Sequence, residues 1–276
     1  MITFNTLWEK WLFNAKNFPN RQAITVGSVL NDPVSYSFAE LIQKAEDYCS
    51  LLVDYHVKPG QVCGLMLRHS LEFYPLYLGI VGLGAIPAIL SYPTKRLHPD
   101  KFRQGIEGMT KRSGLDWILT EKNFKDILLP CVNQNANSIR GLLFPLEWDI
   151  THVHRQKNQE TILQAREKIK SSDPVLLQHS SGTTGLQKPV MLSHASVLQH
   201  LENYAQAIQL CSNDKIVSWL PLYHDMGLIA AFHLPLAFGI PSIQIDPFEW
   251  LSVPSLLLRL ISKLRSRFGA STSLDD

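Results

Sequence analysis

The sequence predicts an α/β protein, a layered αβα architecture on mostly parallel sheets. Two observations carry that reading. Short apolar runs alternate with stretches of helical period along most of the chain, the pattern of strands joined by right-handed helical crossovers. With 276 residues, 45% hydrophobic and 18% charged, the chain can also bury a large core, as one big domain or two smaller ones.

The elements follow in order. Thr6-Leu7-Trp8-Glu9 has capping-box spacing, and Leu7, Trp11, Leu12 and Ala15 continue with helical period. Ala23 to Val26 and Val34 to Tyr36 read as short strands joined by a turn at Asn31-Asp32-Pro33. Ser37-Phe38-Ala39-Glu40 is a second capping box, opening a helix through about Asp54. Lys58-Pro59-Gly60 then breaks the chain before a buried strand, Val62 to Leu67.

Phe73 to Leu90 runs eighteen residues without a charge, the length at which a membrane-spanning helix must be weighed. Pro75, Gly79, Gly82, Gly84 and Pro87 interrupt it, and no cluster of Lys or Arg flanks it. A buried helix to Gly84 followed by a buried strand, Ile86 to Leu90, accounts for the same residues, so no membrane span is expected. Beyond it come a polar helix around Pro99 to Arg112, a strand at Trp117 to Leu119, a helix near Phe124 to Leu128 and a strand near Ile139 to Phe144. His152 to Ser172 is polar and reads as a surface connection with a short helix.

Asp173-Pro174 leads a short buried strand that ends at Gln178. After Lys188, Ser193 is placed to N-cap a helix running to about Leu210. Ile216 to Leu220 is a strand, Asp225 to Phe238 a helix and Ile240 to Ile245 the next strand. Pro254 begins a last helix carrying Leu256, Leu257, Leu260, Ile261 and Leu264. Its Arg259 and Lys263, with Arg265 and Arg267, read as a solvated face rather than a binding patch.

Several function classes find no support. A net charge of +2 argues for neither nucleic acid nor an anionic membrane as partner. Cys49, Cys63, Cys131 and Cys211 are scattered, which suggests neither a zinc ribbon nor a disulfide framework. His152, His154, His194 and His200 form no zinc-type cluster, and no metal ligands are predicted. There is no Gly-x-Ser-x-Gly elbow for a serine hydrolase. Met1-Ile2-Thr3-Phe4-Asn5 lacks the regions of a signal peptide, so the expected compartment is cytoplasmic.

Two stretches carry chemistry. Directly after the Asp173-Pro174 strand comes Ser180-Ser181-Gly182-Thr183-Thr184-Gly185-Leu186-Gln187-Lys188. Glycines let backbone N–H groups approach a ligand, and hydroxyls and an ammonium are donors suited to phosphate oxygens. It is not a Walker A loop, since Leu186-Gln187 separate the last glycine from the lysine. By composition alone it reads equally as a polyphosphate loop or an ordinary Ser/Thr/Gly turn. One helix length later stands Val217-Ser218-Trp219-Leu220-Pro221-Leu222-Tyr223-His224-Asp225-Met226-Gly227.

In this order and spacing the pair resembles the acyl-adenylate-forming superfamily of acyl-CoA synthetases, luciferases and adenylation domains. The Trp-Leu-Pro-Leu-Tyr-His-Asp-Met-Gly run looks most like the fatty acyl-AMP ligases. The resemblance runs from the N-terminus to about Leu260 and implies the N-terminal part of the adenylate-forming ligase fold. Residues 1–150 would form an N-terminal α/β subdomain and 151–172 a polar connection. Residues 173–268 would begin the nucleotide-binding subdomain, leaving 269–276 as a tail. It also implies ATP and Mg2+, a fatty acid or other apolar carboxylate as substrate, and an acyl carrier protein or CoA thiol as acceptor. Ser180, Ser181, Gly182, Thr183, Thr184, Gly185 and Lys188 match the loop that holds the β and γ phosphates. His224 matches the histidine near the reacting carboxylate, where it would donate a hydrogen bond; without the surrounding motif it would read as a packed core histidine. Asp225, Met226 and Gly227 follow it at the acyl site. One face of the Met226 to Phe238 helix would line an apolar tunnel, with Gly227 where the chain approaches closest.

Two departures from the family pattern stand out. Pro189 replaces the usual glycine after the loop lysine, removing an N–H and pushing Lys188 toward extended backbone. No match appears for the Tyr/Gly-Thr-Glu segment, the ribose-binding Thr-Gly-Asp segment or the C-terminal domain with its adenylation lysine. The chain is thus expected to be inactive alone, as a subunit needing a complementing C-terminal chain, a non-catalytic phosphate- or acyl-binding module, or a truncated ligase. On this reading the last helix should have its apolar residues partly uncovered, and Phe268 to Asp276 should form a disordered tail.

Overall fold

The computed structural model describes residues 3–28, 32–93, 98–132, 138–179, 188–264 and 268–269. Its strands are β1 (Gln22–Gly27), β2 (Val34–Ser37), β3 (Val62–Met66), β4 (Ile86–Ile89), β5 (Leu115–Thr120), β6 (Gly141–Leu143), β7 (Pro174–His179), β8 (Pro189–Ser193), β9 (Ile216–Ser218), β10 (Ser242–Ile245) and β11 (Phe268–Gly269). They form two sheets, ordered β11-β9-β10-β1-β2 and β6-β5-β3-β4-β7-β8. Each is parallel apart from one antiparallel edge strand, β2 in the first and β8 in the second.

The chain divides into two compact units that interleave along the sequence. One comprises Met1–Lys44, His69–Pro75 and Ala195–Asp276, the other Ala45–Arg68 and Leu76–His194. This differs from the expected linear division at residues 150 and 172. The reason is strand pairing: β1, near the N-terminus, lies in register beside β10, with Ile24 opposite Ser242 and Val26 opposite Gln244.

In the five-stranded unit the first helix, Leu7–Asn17, is capped as predicted, with Thr6 Oγ1 accepting from Glu9 N. Its buried Asn14 donates from Nδ2 to Leu236 O at 2.7 Å and Ala237 O at 2.9 Å, two carbonyls near the end of a helix. The last helix, Ser255–Leu264, contradicts the expectation of an uncovered face at its described residues; the Leu264 side chain lies outside them. Leu256, Leu257 and Leu260 are buried against Val217, Ile243 and Ile245, with Ile261 packed beside them. Their partners are strands this chain already contains. Phe268-Gly269, expected to begin a tail, pair instead in parallel with Ile216-Val217; residues 270–276 lie outside the described residues.

In the six-stranded unit the uncharged stretch is a buried helix, Phe73–Leu83, followed by strand β4. Among the described residues no helix is long and apolar enough to cross a membrane. The polar connection is more than a surface strap. It contains a 14-residue helix, Arg155–Lys168, held down mainly by polar contacts. Asn158 donates to Ser50 O at 2.9 Å, Arg166 forks onto Glu46 with two 2.8 Å contacts, and Arg166 Nε reaches Gly82 O at 2.7 Å. Arg155 pairs with Asp47, and Ile162 is the helix's buried apolar anchor.

Gly79 is where helix Phe73–Leu83 comes closest to helix Phe38–Asp54. A Cβ there would lie 2.8 Å from Tyr48 Cβ and 2.9 Å from Ala45 O, while Cys49 Sγ donates to Gly79 O at 3.0 Å. Gly79→Ala should therefore push the helices apart and lower the unfolding free energy by about 1–3 kcal/mol. Urea titration checks it; an unchanged midpoint would mean that the contact is not tight.

Candidate functional site

The first predicted site is carried by a β-hairpin. Val175, Leu176 and Leu177 bury β7 in the sheet, and β8 returns beside it, so His179 and Pro189 close the base of the loop. Ser180, Ser181, Gly182, Thr183, Thr184 and Gly185 lie outside the described residues, with Leu186 and Gln187. Lys188 is described and is exposed at the start of the returning strand. The sequence pattern predicts no strand between Lys188 and the helix it begins at Ser193, yet Pro189–Ser193 forms one. Its signal was the apolar run Val190-Met191-Leu192, short and half-exposed because β8 is an edge. Pro189 is the first residue of that edge strand, a position where a missing N–H is tolerated.

His179 stands at the root of the hairpin. Its Nε2 lies 2.7 Å from Ser113 Oγ, and burial pushes its pKa down to about 4. Burial likewise lowers buried His194, at the start of the following helix, to about 4. Both imidazoles are therefore neutral at physiological pH.

The second predicted site follows β9. Ser218 Oγ accepts from Leu220 N at 3.0 Å, and the chain then turns, with His224 N donating to Pro221 O at 3.0 Å. Asp225 accepts from Met226 N at 2.8 Å and starts the next helix. Tyr223, His224, Asp225 and Met226 are all exposed, so His224 is not a packed core histidine. Its Nδ1 stands 3.5 Å from Asp225 Oδ1, too long for a strong bond, leaving the ring available to a ligand.

The helix after His224 differs from the regular one expected. Met226–His233 is a wide π-helix, and only Leu234–Phe238 is α-helical. Pro235 has no N–H to give Ala231 O in α-helical register. That carbonyl accepts instead from Ser242 Oγ and Gln244 Nε2, both at 2.7 Å and both from buried positions of β10. Gly227 lies in the tight start of that helix. A Cβ there would sit 2.3 Å from Pro221 O and 2.9 Å from Leu220 O, so the backbone of its own turn leaves no room for a side chain.

A further polar group gathers past the ends of β1 and β10. Asp246 caps helix Pro247–Ser252 by accepting from Phe248 N and Glu249 N, and Ser28 Oγ donates to Glu249 Oε1 at 3.0 Å. His69 Nε2 lies 2.9 Å from Tyr74 Oη. Burial pushes the His69 pKa down to about 4 against the opposing pull of the Asp246 and Glu249 carboxylates. None of these residues belongs to either motif. Among the described residues no three His, Cys, Asp or Glu side chains are grouped to hold a metal ion.

The profile of the AMP-binding enzyme family matches residues 12–273, and the chain belongs to that family. Among similar proteins is the long-chain-fatty-acid–AMP ligase FadD26 of Mycobacterium marinum, 27% identical over 265 residues, 92% of this chain and 43% of the relative. The putative ligase Rv1013 of Mycobacterium tuberculosis is 24% identical over 94% of this chain and 46% of its own. Among solved structures, the fatty acyl-adenylate ligase from L. pneumophila in complex with acyl adenylate and pyrophosphate superposes with a TM-score of 0.77. It is 23% identical over 96% of this chain and 44% of its own, a likeness of fold. The chain thus spans less than half the length of these relatives.

Two outcomes test the local geometry. Gly227→Ala should cost about 1–3 kcal/mol in unfolding free energy, because backbone rather than a flexible side chain must give way; denaturation at neutral pH reads it. The pH response has a definite sign. Between pH 6.5 and 4 the unfolded chain binds protons that folded His179 refuses, so stability falls as pH drops through that window. The urea midpoint should fall between pH 7 and pH 5, and less steeply in His179→Asn; equal slopes would contradict a neutral, desolvated His179.

Proposed function

We propose that this chain supplies the polyphosphate loop and the carboxylate-facing motif of a fatty acyl-AMP ligase. The reaction is attack of a carboxylate oxygen on the α-phosphorus of ATP, forming acyl-AMP and releasing pyrophosphate. Two anions must meet, so the protein's work is positioning and charge neutralisation. The observation that carries the reading is the pair of loops: a Ser/Thr/Gly/Lys segment between paired strands, and a turn that exposes His224.

In this reading Ser180, Ser181, Thr183, Thr184 and the backbone at Gly182 and Gly185 donate to the β and γ phosphates, and the exposed Lys188 ammonium neutralises them. Those donors suit phosphate oxygens and not a cation. Magnesium, when bound, would be held chiefly by the polyphosphate and would supply further neutralisation. His224 donates to the substrate carboxylate from the exposed rim of its turn, with Asp225, Met226 and Gly227 shaping that turn. The acyl group is apolar, and a phosphopantetheine thiol, on a carrier protein or CoA, accepts it in the complete reaction. In this reading the ribose aspartate and adenylation lysine of the family come from segments other than these 276 residues.

The test uses this polypeptide as it stands. With ATP, magnesium and fatty acids of several lengths it should form no acyl-AMP by mass spectrometry. A non-hydrolysable ATP analogue should still bind, and Lys188→Ala should weaken it roughly tenfold or more, the loss of one charge-assisted contact. The same variant should leave a fluorescent fatty acid bound as before. No nucleotide binding by the unaltered chain, or equal loss of both ligands in the variant, would overturn the assignment of the two loops.

A further inference from the structure

The loop that presents His224 is anchored behind by buried Leu222 and Leu228 and by the helix that follows it, and in front by an aromatic stack. Trp219, its first residue, stacks face to face on Trp250, with ring centroids 3.6 Å apart and planes 7° from parallel. Among the described residues the loop's hydrogen bonds stay local: Leu220 to Ser218, His224 to Pro221, Met226 to Asp225 and Leu228 to His224. They fix the shape of the turn, while its placement rests on packing: Leu222 and Leu228 at its far end and Trp219 at its near end. Among the described residues the buried Trp219 indole N–H finds no acceptor, and the ring is held there by its faces.

Trp250 is the firmer partner. It sits in helix Pro247–Ser252, whose first turn is capped by Asp246 and whose Glu249 is bound by Ser28 at the end of β1. Both indoles also pack on the cluster of Val217, Ile243, Ile245 and the last helix. Strands β9 and β10 are parallel neighbours, Gln244 beside Ser218, so the segments after them leave the sheet at one end and side by side. The stack joins these two segments just where they leave the sheet.

We propose that Trp250, outside both sequence motifs, is a positioning residue for His224 and acts through Trp219. This rests on the reading that the His224 turn faces the acyl carboxylate. Removing the Trp250 ring frees the turn to shift as a body, while an aromatic replacement keeps the platform.

Hydrogen exchange read by mass spectrometry on the full chain tests the placement, with Trp250→Ala and Trp250→Phe as variants. Trp250→Ala should speed exchange in residues 219–228 about tenfold, leaving β10 and the six-stranded unit unchanged, and Trp250→Phe should restore most of the protection. Unchanged exchange in Trp250→Ala overturns the proposal. So does a rise spread over the whole unit, or one that Trp250→Phe leaves in place, since either marks an ordinary core residue. In a second arm, a dodecanoyl sulfamoyl-adenosine analogue should bind Trp250→Ala about tenfold more weakly than the unaltered chain, and Trp250→Phe nearly as well. Equal affinity in Trp250→Ala, despite a loosened turn, overturns the link to His224. If the unaltered chain fails to bind the analogue, the ligase reading fails, and the exchange result still decides whether Trp250 places the turn.

Discussion

The five-stranded unit depends on one pairing, β1 against β10, made between parts of the chain that are far apart in sequence. Asn14 shows the distance: its contact to Leu236 spans 222 residues and is fully buried. Arg21 adds a hydrogen bond to Gly239 O at 2.8 Å. Contacts of such separation are costly to close and form late unless they bury much apolar surface together. Here they bring Ser28 next to Glu249, and through Glu249 they steady the helix that carries Trp250. The His224 turn therefore owes its support to the first thirty residues as well as to its own neighbours.

A second constraint acts within the π-helix. Pro235 leaves Ala231 O without its helical donor, and two buried polar side chains of β10 take it over. Leaving a buried carbonyl unpaired would cost about 1–3 kcal/mol. The buried Ser242 and Gln244 are thereby explained: they replace a backbone donor. The same exchange fixes the helix that follows His224 to the strand beneath it.

The six-stranded unit shows the complementary strategy. Its sheet packs on a large apolar cluster running from Val62 and Met66 to Ile118 and Leu177. The helix Arg155–Lys168 has little apolar surface to offer, and it is joined to helix Phe38–Asp54 through Arg155, Asn158 and Arg166. Forked guanidinium–carboxylate pairs specify orientation better than apolar contacts do, which suits a helix with Ile162 as its buried apolar anchor and otherwise polar contacts.

Capping boxes, buried strands and the two motifs were legible in the sequence because each is a local signal: a donor three residues from its acceptor, or an apolar run between breakers. Thr6 with Glu9 and Ser37 with Glu40 formed as the spacing required. So did the buried helix and strand in the uncharged stretch. Strand Pro189–Ser193 was hidden because an edge strand needs few apolar residues, and its pairing with β7 is not written locally. The covering of Leu256, Leu257 and Leu260, the closed face of Gly227 and the stack of Trp219 on Trp250 were likewise out of reach. Each depends on a through-space approach between backbone or rings. The sequence by itself determined which chemistry the chain carries, since residue types and spacing set the donors. Only the tertiary structure decided what holds those donors in place, because that depends on which distant strands lie side by side.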